Sequence, residues 1–512
     1  MLQFKNVTIT HRKDLRVILE DFHCVLHAGD KAVMIGEEGN GKSTLLKWMY
    51  EPTLLDGYAQ YQGERVISHE RLAYLPQELS LSDASKTIYE FFSEEPRFWE
   101  NNPGELAKLA KSVGLTAEIY YLDQRMGCLS GGEKVKIQML RLLLAEPTVL
   151  LLDEPSNDID IETLQWMEEL IAGWPNIVVF ISHDEVLIEH TANMVIHLEQ
   201  VYRKQKSRCT VVRMPWLSYT EERLHQFQKQ RQLAVNDQRE KRIRDEKYRR
   251  MEQQVQNNLR ETKNDHAGRL LKKKMHAVKS MEHRFERENA EMVPMPVQEE
   301  AIFFKMGGKE TKIPAGKTVL EYEIPELFTT DGSRLLAKNV RLRIRGAERV
   351  VIVGKNGVGK TTLLRKIAEE LLSRSDIRAG YMPQNYEELL PAQVNAIQYL
   401  SETGEKEEQT RLRTYLGALK FTENEMLHPL DELSGGQRAK VLLLKLSLSG
   451  ANVLILDEPT RNFSPLSGPV IRTILQEFPG AIISVSHDRK YIDEVCTKIY
   501  ELTADGLKAV GR

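Results

Sequence analysis

The sequence of 512 residues has few cysteines and no long apolar segment. The cysteines are scattered and form no CxxC pair, which excludes a cysteine zinc site or a disulfide framework and predicts a reducing, cytoplasmic location. No stretch approaches the roughly 20 apolar residues that a membrane-spanning helix requires. The 71 Lys and Arg residues nearly balance the 74 Asp and Glu residues, so net charge alone indicates neither a nucleic-acid nor a membrane partner. The four cysteines are Cys24, Cys128, Cys209 and Cys496.

Long stretches of the sequence occur twice. MIGEEGNGKSTLLKWM near residue 40 recurs as IVGKNGVGKTTLLRKI near residue 358, and CLSGGEKVKIQMLRLLLAEPTVLLLDEPS recurs as ELSGGQRAKVLLLKLSLSGANVLILDEPT. Ser130 lies 23 positions before Asp153, and Ser434 lies 23 positions before Asp457. Apolar strand patterns alternate with helical patterns in both copies. The sequence therefore predicts an α/β fold with two tandem P-loop nucleotide-binding domains, residues 1–214 and 297–512.

The segment between the repeats, residues 215–296, has a different composition. Residues 221–292 contain 19 Lys and Arg against 13 Asp and Glu, and good helix formers dominate. The pattern predicts one helix from Tyr219 to about Asn257, a break at NNLRETKNDHAG, and a second helix from Arg269 to about Asn289. We therefore expect a basic antiparallel helical hairpin as an interdomain linker. The expected contact residues between its helices are Leu224, Phe227, Leu233, Leu270, Met275, Val278, Met281 and Phe285.

Each repeat contains a glycine-rich loop of the form GxxxxGK[ST] between an apolar run and a helical pattern. Backbone N–H groups of such a loop surround a phosphate at the positive end of a helix. The lysine would reach the terminal phosphates, and the hydroxyl residue after it would hold magnesium. The predicted residues are Gly36, Gly39, Gly41, Lys42, Ser43 and Thr44 in the first copy and Gly354, Gly357, Gly359, Lys360, Thr361 and Thr362 in the second.

Each repeat also has a buried-strand pattern that ends in two acids, Asp153 and Glu154 or Asp457 and Glu458. Acids at the carboxyl end of a parallel strand face the ligand crevice. The aspartate suits magnesium, held through water, and the glutamate suits a base that polarises the attacking water. A histidine follows the next apolar strand, 30 positions after the aspartate in both copies. Such a histidine is more often structural, but the repeated spacing favours contact with the γ-phosphate. The catalytic candidates are Glu154, Glu458, His183 and His487.

A third motif, LSGGE or LSGGQ, opens a helix with a serine and two glycines and would form a second phosphate cradle. Together with the features above, it resembles the ATP-binding-cassette (ABC) ATPases, whose Q-loop glutamine matches Gln77 and Gln384. The resemblance implies that two cassettes enclose two ATP molecules head to tail, with Lys42 opposite Ser434 and Lys360 opposite Ser130. It adds Ser130, Gly131, Gly132, Ser434, Gly435 and Gly436 to the nucleotide-binding residues. The implied Mg²⁺ residues are Ser43, Gln77, Asp153, Thr361, Gln384 and Asp457.

The two copies differ at one position of this pattern. The D-loop aspartate of the ABC family matches Asp160 in the first copy, but Ser464 stands at the same place in the second. Equal hydrolysis at the two sites is therefore in question.

Tandem cassettes without a membrane span, joined by a basic helical linker, resemble the ABC-F family of ribosome-associated ATPases over essentially the whole chain. The resemblance implies that ATP closes the cassettes of a monomeric chain, that the closed form binds the ribosome, and that hydrolysis releases it. It also implies that the linker contacts large-subunit rRNA and tRNA and reaches toward the peptidyl-transferase centre.

ABC-F proteins include resistance proteins, which displace antibiotics from the large subunit, and housekeeping translation factors. The TRNFSPLS segment after Glu458 and the uninterrupted basic linker favour the resistance type. A housekeeping factor for stalled or initiating ribosomes is the alternative. From another class, the soluble ATPase pair of a transporter would have no use for a basic hairpin. The competing interpretation of the linker charge is a solvated helix face.

Overall fold

The computed structural model describes residues 1–157, 159–201, 206–261, 265–290, 292–293, 295–296, 306–307, 309–329 and 331–511. They form two compact units: one contains both sequence repeats, Met1–Trp216 and Glu299–Arg512, and the other is the linker, Leu217–Gln298. The repeats are α/β domains, so the predicted fold class is confirmed. We call the repeats the first and second cassettes.

The first cassette contains two sheets. Its three-stranded antiparallel sheet has the order β2-β1-β4, and its six-stranded sheet has the order β5-β6-β7-β3-β8-β9. The strands are β1 (Leu2–His11), β2 (Val17–Leu26), β3 (Lys31–Ile35), β4 (Ala59–Ile67), β5 (Leu72–Leu75), β6 (Val149–Asp153), β7 (Ile177–Ile181), β8 (Met194–Val201) and β9 (Lys206–Val212). The helices are α1 (Lys42–Tyr50), α2 (Leu81–Ser85), α3 (Ile88–Ser93), α4 (Pro96–Glu100), α5 (Pro103–Ser112), α6 (Gly131–Leu144), α7 (Ile161–Gly173) and α8 (Glu185–Thr191).

The second cassette repeats this plan with a smaller antiparallel sheet. Strands β10 and β11 form that sheet, and the six-stranded sheet has the order β13-β14-β15-β12-β16-β17. The strands are β10 (Thr318–Phe328), β11 (Leu335–Arg345), β12 (Arg349–Val353), β13 (Ala379–Met382), β14 (Val453–Asp457), β15 (Ala481–Val485), β16 (Lys498–Thr503) and β17 (Gly506–Val510). The helices, numbered after the two of the linker, are α11 (Lys360–Leu372), α12 (Ala396–Leu400), α13 (Lys406–Ala418), α14 (Glu423–Leu427), α15 (Gly435–Leu448), α16 (Gly468–Gln476) and α17 (Arg489–Glu494).

The parallel strands β6 and β7 of the first cassette, and β14 and β15 of the second, are buried at every residue. Continuous apolar runs are typical of parallel strands that are covered on both faces. In register, Asp153 at the end of β6 pairs with Ile181, and Asp457 at the end of β14 pairs with Val485. This arrangement brings both acid pairs and both histidines to the carboxyl edges of their sheets.

The linker unit consists of two long helices, α9 (Trp216–Glu261) and α10 (Asp265–Ala290). At 1.5 Å per residue, the 46 residues of α9 are about 69 Å long. The predicted break is wrong in its extent, because Asn257 and Asn258 are helical and Asp265 already belongs to α10. Residues 262–264 of that break lie outside the described part of the chain.

Burial within the linker corrects part of the expected helix contacts. Val278 is buried, and so is Ala234, which the sequence pattern did not single out. The guanidinium of Arg244 lies 5.8 Å from the ring centre of Phe285. The leucines expected between the helices, Leu224, Leu233 and Leu270, are instead exposed. Among the described residues, no helix is long and apolar enough to cross a membrane.

Candidate ATP-binding sites

The two glycine-rich loops connect β3 to α1 and β12 to α11, as predicted. Gly36 has a φ of +148°, and a side chain there would collide with the Leu198 carbonyl oxygen. In the second cassette, a Cβ on Gly354 would come within 2.6 Å of the Leu502 carbonyl oxygen. Gly41 and Gly359 cap the following helices in the left-handed conformation, which favours glycine. Glycine is therefore required in both loops for backbone reasons.

The lysine of each loop is bound to the loop's own backbone. Lys42 Nζ donates to the carbonyl oxygens of Gly36, at 2.9 Å, and Glu37, at 3.1 Å. Lys360 Nζ donates in the same way to Gly354, at 2.9 Å, and Lys355, at 3.0 Å. Both ammonium groups are held over their loops, where the N-terminus of a helix adds partial positive charge. A phosphate group suits this surrounding.

The hydroxyl and carboxylate predicted to hold magnesium are neighbours in the first cassette. Ser43 Oγ donates to Asp153 Oδ1 at 2.8 Å, and the Tyr74 hydroxyl donates to Asp153 Oδ2 at 3.0 Å. Gln77 Nε2 donates to Glu154 Oε2 at 3.2 Å, so the Q-loop glutamine lies beside the candidate base.

In the second cassette, the carboxylate of Asp457 fits a divalent cation. Both its oxygens are buried without a hydrogen bond of good geometry. Burial raises the pKa of Asp457, and the Thr361 hydroxyl and the Lys360 ammonium lower it by less, so that the pKa is about 6 overall. A magnesium ion held by Thr361 and Asp457 would supply the missing positive charge. No group of three or more His, Cys, Asp and Glu side chains in the described residues could hold a metal ion. Gln384, which lines the same cavity, and the phosphate oxygens of a bound nucleotide would supply further oxygen ligands.

The two candidate bases share one backbone conformation. Glu154 has a φ of +50° and Glu458 a φ of +52°, both in the left-handed region that such residues seldom adopt. The N–H of Glu154 donates to Ile181 O, and that of Glu458 donates to Val485 O. This strain at two equivalent positions is typical of a functional site.

The surroundings of these bases differ between the cassettes. Burial raises the pKa of Glu154, but His183, whose Nε2 lies 3.3 Å away, and Lys42 lower it to about 2 overall. Burial and the neighbouring Asp457 raise the pKa of Glu458 to about 8. His487 Nε2 is 3.8 Å from Glu458 Oε1, and burial together with Lys360 lowers the pKa of His487 to about 4. The first cassette thus has an ion pair where the second has two groups that favour their neutral forms.

The serines of the LSGG motifs cap helices. Ser130 and Ser434 are the N-caps of α6 and α15, and each forms a reciprocal capping box with residue N3. Gly132 and Gly436 lie against the D-loop region of their own cassette. A Cβ on Gly132 would come within 2.7 Å of Thr163 Oγ1, and a Cβ on Gly436 would come within 2.8 Å of Asn462 O. In both helices the serine oxygen thus accepts the N–H of residue N3, and the second helical residue has no room for a side chain.

The structure brings the loops and the LSGG helices together across the cassettes. We define the first site by the Lys42 loop and α15. Glu37 and Glu38 of this loop contact the second cassette directly. His183 Nδ1, also of the first cassette, lies 2.6 Å from Phe463 O of the second. The second site, defined by the Lys360 loop and α6, is a cavity of about 1140 Å³. Its lining includes the predicted residues Ser130, Gly131, Gly132, Gly357, Gly359, Lys360, Thr361, Thr362, Gln384, Asp457, Glu458 and His487.

Sequence reasoning missed the charged contacts between the cassettes. Arg472 donates to both carboxylate oxygens of Glu185, at 2.6 and 3.1 Å, and the two side chains are 4% and 7% exposed. Arg489 donates to Glu168 and to Asp184, at 2.9 Å each. One signal was present in the sequence. When the repeats are aligned with an offset of 304 positions, Arg472 corresponds to Glu168 and Arg489 corresponds to Glu185. The charge is reversed at both positions.

A family model described as ABC transporter matches residues 19–157 and 337–461. The ATP-binding protein YdiF of Bacillus subtilis is 26% identical to the chain, and the alignment covers 96% of this chain and 78% of YdiF. The ATP-binding protein YheS of Escherichia coli is 25% identical, with 98% of this chain and 78% of YheS covered.

Among solved structures, the complex of the archaeal ribosomal stalk protein aP1 with the archaeal ribosome recycling factor aABCE1 has the same fold. Its TM-score is 0.57 at 17% identity, over 98% of this chain and 89% of that chain. These matches confirm the resemblance to ABC-F ATP-binding proteins, whereas the resistance-type role is a separate proposal. The family model covers just over half of the residues, in two copies, and the chain belongs to the ABC transporter family as an ATPase with two ATP-binding cassettes.

Proposed function

We propose that the protein is a cytoplasmic, ribosome-binding ATPase of the resistance type. ATP binding closes its two cassettes, the closed form binds the ribosome, and the linker reaches toward the peptidyl-transferase centre and displaces antibiotics from the large subunit. Hydrolysis of ATP then releases the protein. The observation that carries this proposal is the exposed basic surface of the linker.

The basic side chains of the linker are largely exposed along both helices. Such a surface suits RNA phosphate, and neutralising phosphates releases counterions, so binding should weaken as salt rises. Acidic residues are interspersed, as the Arg242–Glu246 pair at 3.4 Å shows, but the basic residues outnumber them. The exposed basic residues include Arg239, Arg242, Lys247, Arg249, Arg250, Arg260, Arg269, Lys272, Lys273 and Lys274.

The comparisons support a ribosomal partner. The alignments with YdiF and YheS cover nearly the whole chain, so they include the linker as well as the cassettes. The archaeal protein of the same fold is a ribosome recycling factor, seen in complex with a ribosomal stalk protein. A ribosome is therefore the partner class that best accounts for both the cassettes and the linker.

The ATPase chemistry follows from the residues at the carboxyl edges of the sheets. Lys42 and Lys360 hold the terminal phosphates, and Glu154 and Glu458 orient and polarise the attacking water. Magnesium, when bound, neutralises charge on the transferred phosphoryl group. Because both ATP sites take residues from both cassettes, nucleotide at a site favours their closed arrangement.

A displacement assay tests the antibiotic part of the proposal. Ribosomes carrying radiolabelled chloramphenicol, a macrolide or a pleuromutilin, each assayed separately, are mixed with the protein and ATP. We expect release of at least one drug with the wild type and retention with a variant whose linker is shortened. If all three drugs stay bound while the protein still binds the ribosomes, the resistance role is wrong and the housekeeping interpretation is favoured.

A further inference from the structure

The glycine-rich loop of the first cassette carries two acids that its counterpart lacks. Glu37 and Glu38 stand where the second cassette has Lys355 and Asn356. A loop that surrounds phosphate with N–H groups gains nothing from added carboxylates, because like charges repel. The side chains of both acids are turned toward the second cassette instead. Their contacts there suggest a role other than phosphate binding within their own loop.

The carboxylate of Glu38 lies on the N-terminus of α15. Its Oε2 accepts a hydrogen bond from the Gly436 N–H. A Cβ on Gly435 or Gly436 would lie 3.2 or 3.1 Å from a Glu38 carboxylate oxygen, so the carboxylate lies against the first two residues of the helix. The helix has 14 residues, and its free N–H groups carry partial positive charge that favours an anion. Glu38 supplies that anion from within the chain.

Glu37 joins the same two elements through a buried cluster. Lys440 Nζ, on α15, donates to Glu37 Oε2 at 2.9 Å. The hydroxyls of Ser464 and Ser467 both donate to Glu37 Oε1, at 2.7 and 2.6 Å. Burial raises the pKa of this carboxyl, but Lys440 and the two hydroxyls lower it to about 2 overall. Glu37 is therefore ionised at neutral pH, and its charge is satisfied entirely by the second cassette.

The cluster explains why a serine replaces the D-loop aspartate. A carboxylate at position 464 would lie against Glu37, and two buried carboxylates at hydrogen-bonding distance repel each other. In the other cassette, Asp160 accepts a hydrogen bond from the Thr163 N–H at 2.9 Å and lines the cavity of the second site. There the residue equivalent to Glu37 is Lys355, whose ammonium lies 3.2 Å from Glu162. At this loop position, each cassette therefore pairs with a side chain of opposite charge on the facing cassette, Glu37 with Lys440 and Lys355 with Glu162.

We propose that Glu38 is an internal competitor of the ATP γ-phosphate for the N-terminus of α15, and that Glu37 holds the first site closed through Lys440, Ser464 and Ser467. The first site therefore closes without nucleotide, and closure of the second site is the step that ATP controls. This inference rests on the ATP-site assignment of the proposed function.

Binding stoichiometry tests the inference without any measurement of hydrolysis. Equilibrium dialysis of the full-length chain against a non-hydrolysable ATP analogue (adenylyl imidodiphosphate with Mg²⁺) gives the number of sites and their affinities. For the wild type, we expect one tight and one weak site. Lys360→Ala should abolish the tight site, and Lys42→Ala should leave it in place.

The decisive variant is Glu38→Asn, which installs the residue of the second cassette. We expect it to tighten the weak site at least tenfold, with Glu38→Gln acting in the same direction at nearly constant side-chain volume. The mirror variant Asn356→Glu should weaken the tight site, and thermal unfolding checks that each variant is folded.

Four results would overturn the inference, and they can be told apart. Two equal sites in the wild type would contradict the inference but not the ATP-site assignment. An unchanged weak site in both Glu38 variants would have the same meaning. No binding by the wild type, or binding that neither lysine variant alters, would contradict the ATP-site assignment itself and the inference with it.

Discussion

At the scale of single residues, the two glutamates after β6 and β14 have the same backbone and different electrostatics. Glu154 is held ionised by His183, whereas Glu458 lies beside Asp457 with its pKa raised to about 8. Hydrogen bonds from Gln77 and Asn157 further fix Glu154. The pKa values of the two glutamates differ because their neighbours come from separate elements. The matching acid pairs in the sequence therefore did not indicate this difference.

Replacing both glutamates tests their assignment as bases. The double variant Glu154→Gln, Glu458→Gln should bind ATP as the wild type does but hydrolyse it about 10²- to 10⁴-fold more slowly, because only the carboxylates that polarise water are lost. Steady-state phosphate release and nucleotide binding measure the two effects. Glu348→Gln, in which the glutamate pairs with Lys498 outside both sites, is the matched control. Hydrolysis by the double variant at the wild-type rate would show that the assignment is wrong.

The single variants should not be equivalent. The surroundings of Glu154 and Glu458 differ, and Ser464 stands where the first cassette has Asp160. We therefore expect different residual rates for Glu154→Gln and Glu458→Gln in the same phosphate-release assay. Identical rates would remove any functional meaning from the asymmetry between the cassettes.

At the scale of helices, charge determines which cassette surfaces fit together. Helices α7 and α8 provide the glutamates of these contacts, and α16 and α17 provide the arginines. Because the equivalent positions carry opposite charges, two first cassettes would oppose Glu168 to Glu185, and two second cassettes would oppose Arg472 to Arg489. Either pairing would place like charges in contact, which is unfavourable for both. The charges thus favour pairing of the first cassette with the second.

The buried pair Arg472–Glu185 allows a double-mutant cycle. Arg472→Met alone should destabilise the chain by about 3–5 kcal/mol, because it leaves a buried carboxylate without its main partner. Glu185→Met added to it should recover much of that loss, because both charges are then replaced by apolar groups of similar length. Urea unfolding of the wild type, the two single variants and the double variant provides the measurement. Strictly additive losses would show that the pair does not couple the cassettes.

The linker helices can be tested separately from the cassettes. Lys272→Glu with Lys273→Glu should weaken ribosome binding and reduce its dependence on salt, because fewer RNA phosphates are neutralised, while ATPase activity in the absence of ribosomes is unchanged. Lys108→Glu with Lys111→Glu, on exposed positions of α5, makes the same change in net charge and is the control. Equal weakening by both variants would mean that net charge, and not the linker surface, drives binding.

The linker also shows where sequence patterns suffice and where they do not. Composition correctly predicted two long helices, but not their ends, because Asn257 and Asn258 cost a growing helix only a few tenths of a kcal/mol each. Each added residue also gains a backbone hydrogen bond, so α9 continues to Glu261. The exposure of Leu224 and Leu270 depends on how the two helices cross, which spacing along one chain does not determine.

At the scale of the whole molecule, duplication was the most informative property of the sequence. It predicted the tandem α/β fold and placed the motif residues, because equal spacing within equal folds brings equivalent side chains to the same sheet edge. The contacts of Glu37, Glu38 and Lys440 join residues some 400 positions apart, and no local pattern relates them. The boundaries of the three segments, 1–214, 215–296 and 297–512, and the roles of the site residues stay predictions.

The central claim is that ATP-closed cassettes bring a basic linker onto the ribosome. Cosedimentation of the Glu154→Gln, Glu458→Gln variant with ribosomes, with ATP or ADP and across a salt series, tests it most directly. We predict binding with ATP, little binding with ADP, and a steep decline of the ATP-dependent binding as salt rises. Absence of binding with ATP at every salt concentration, or equal binding with ADP, would contradict the claim.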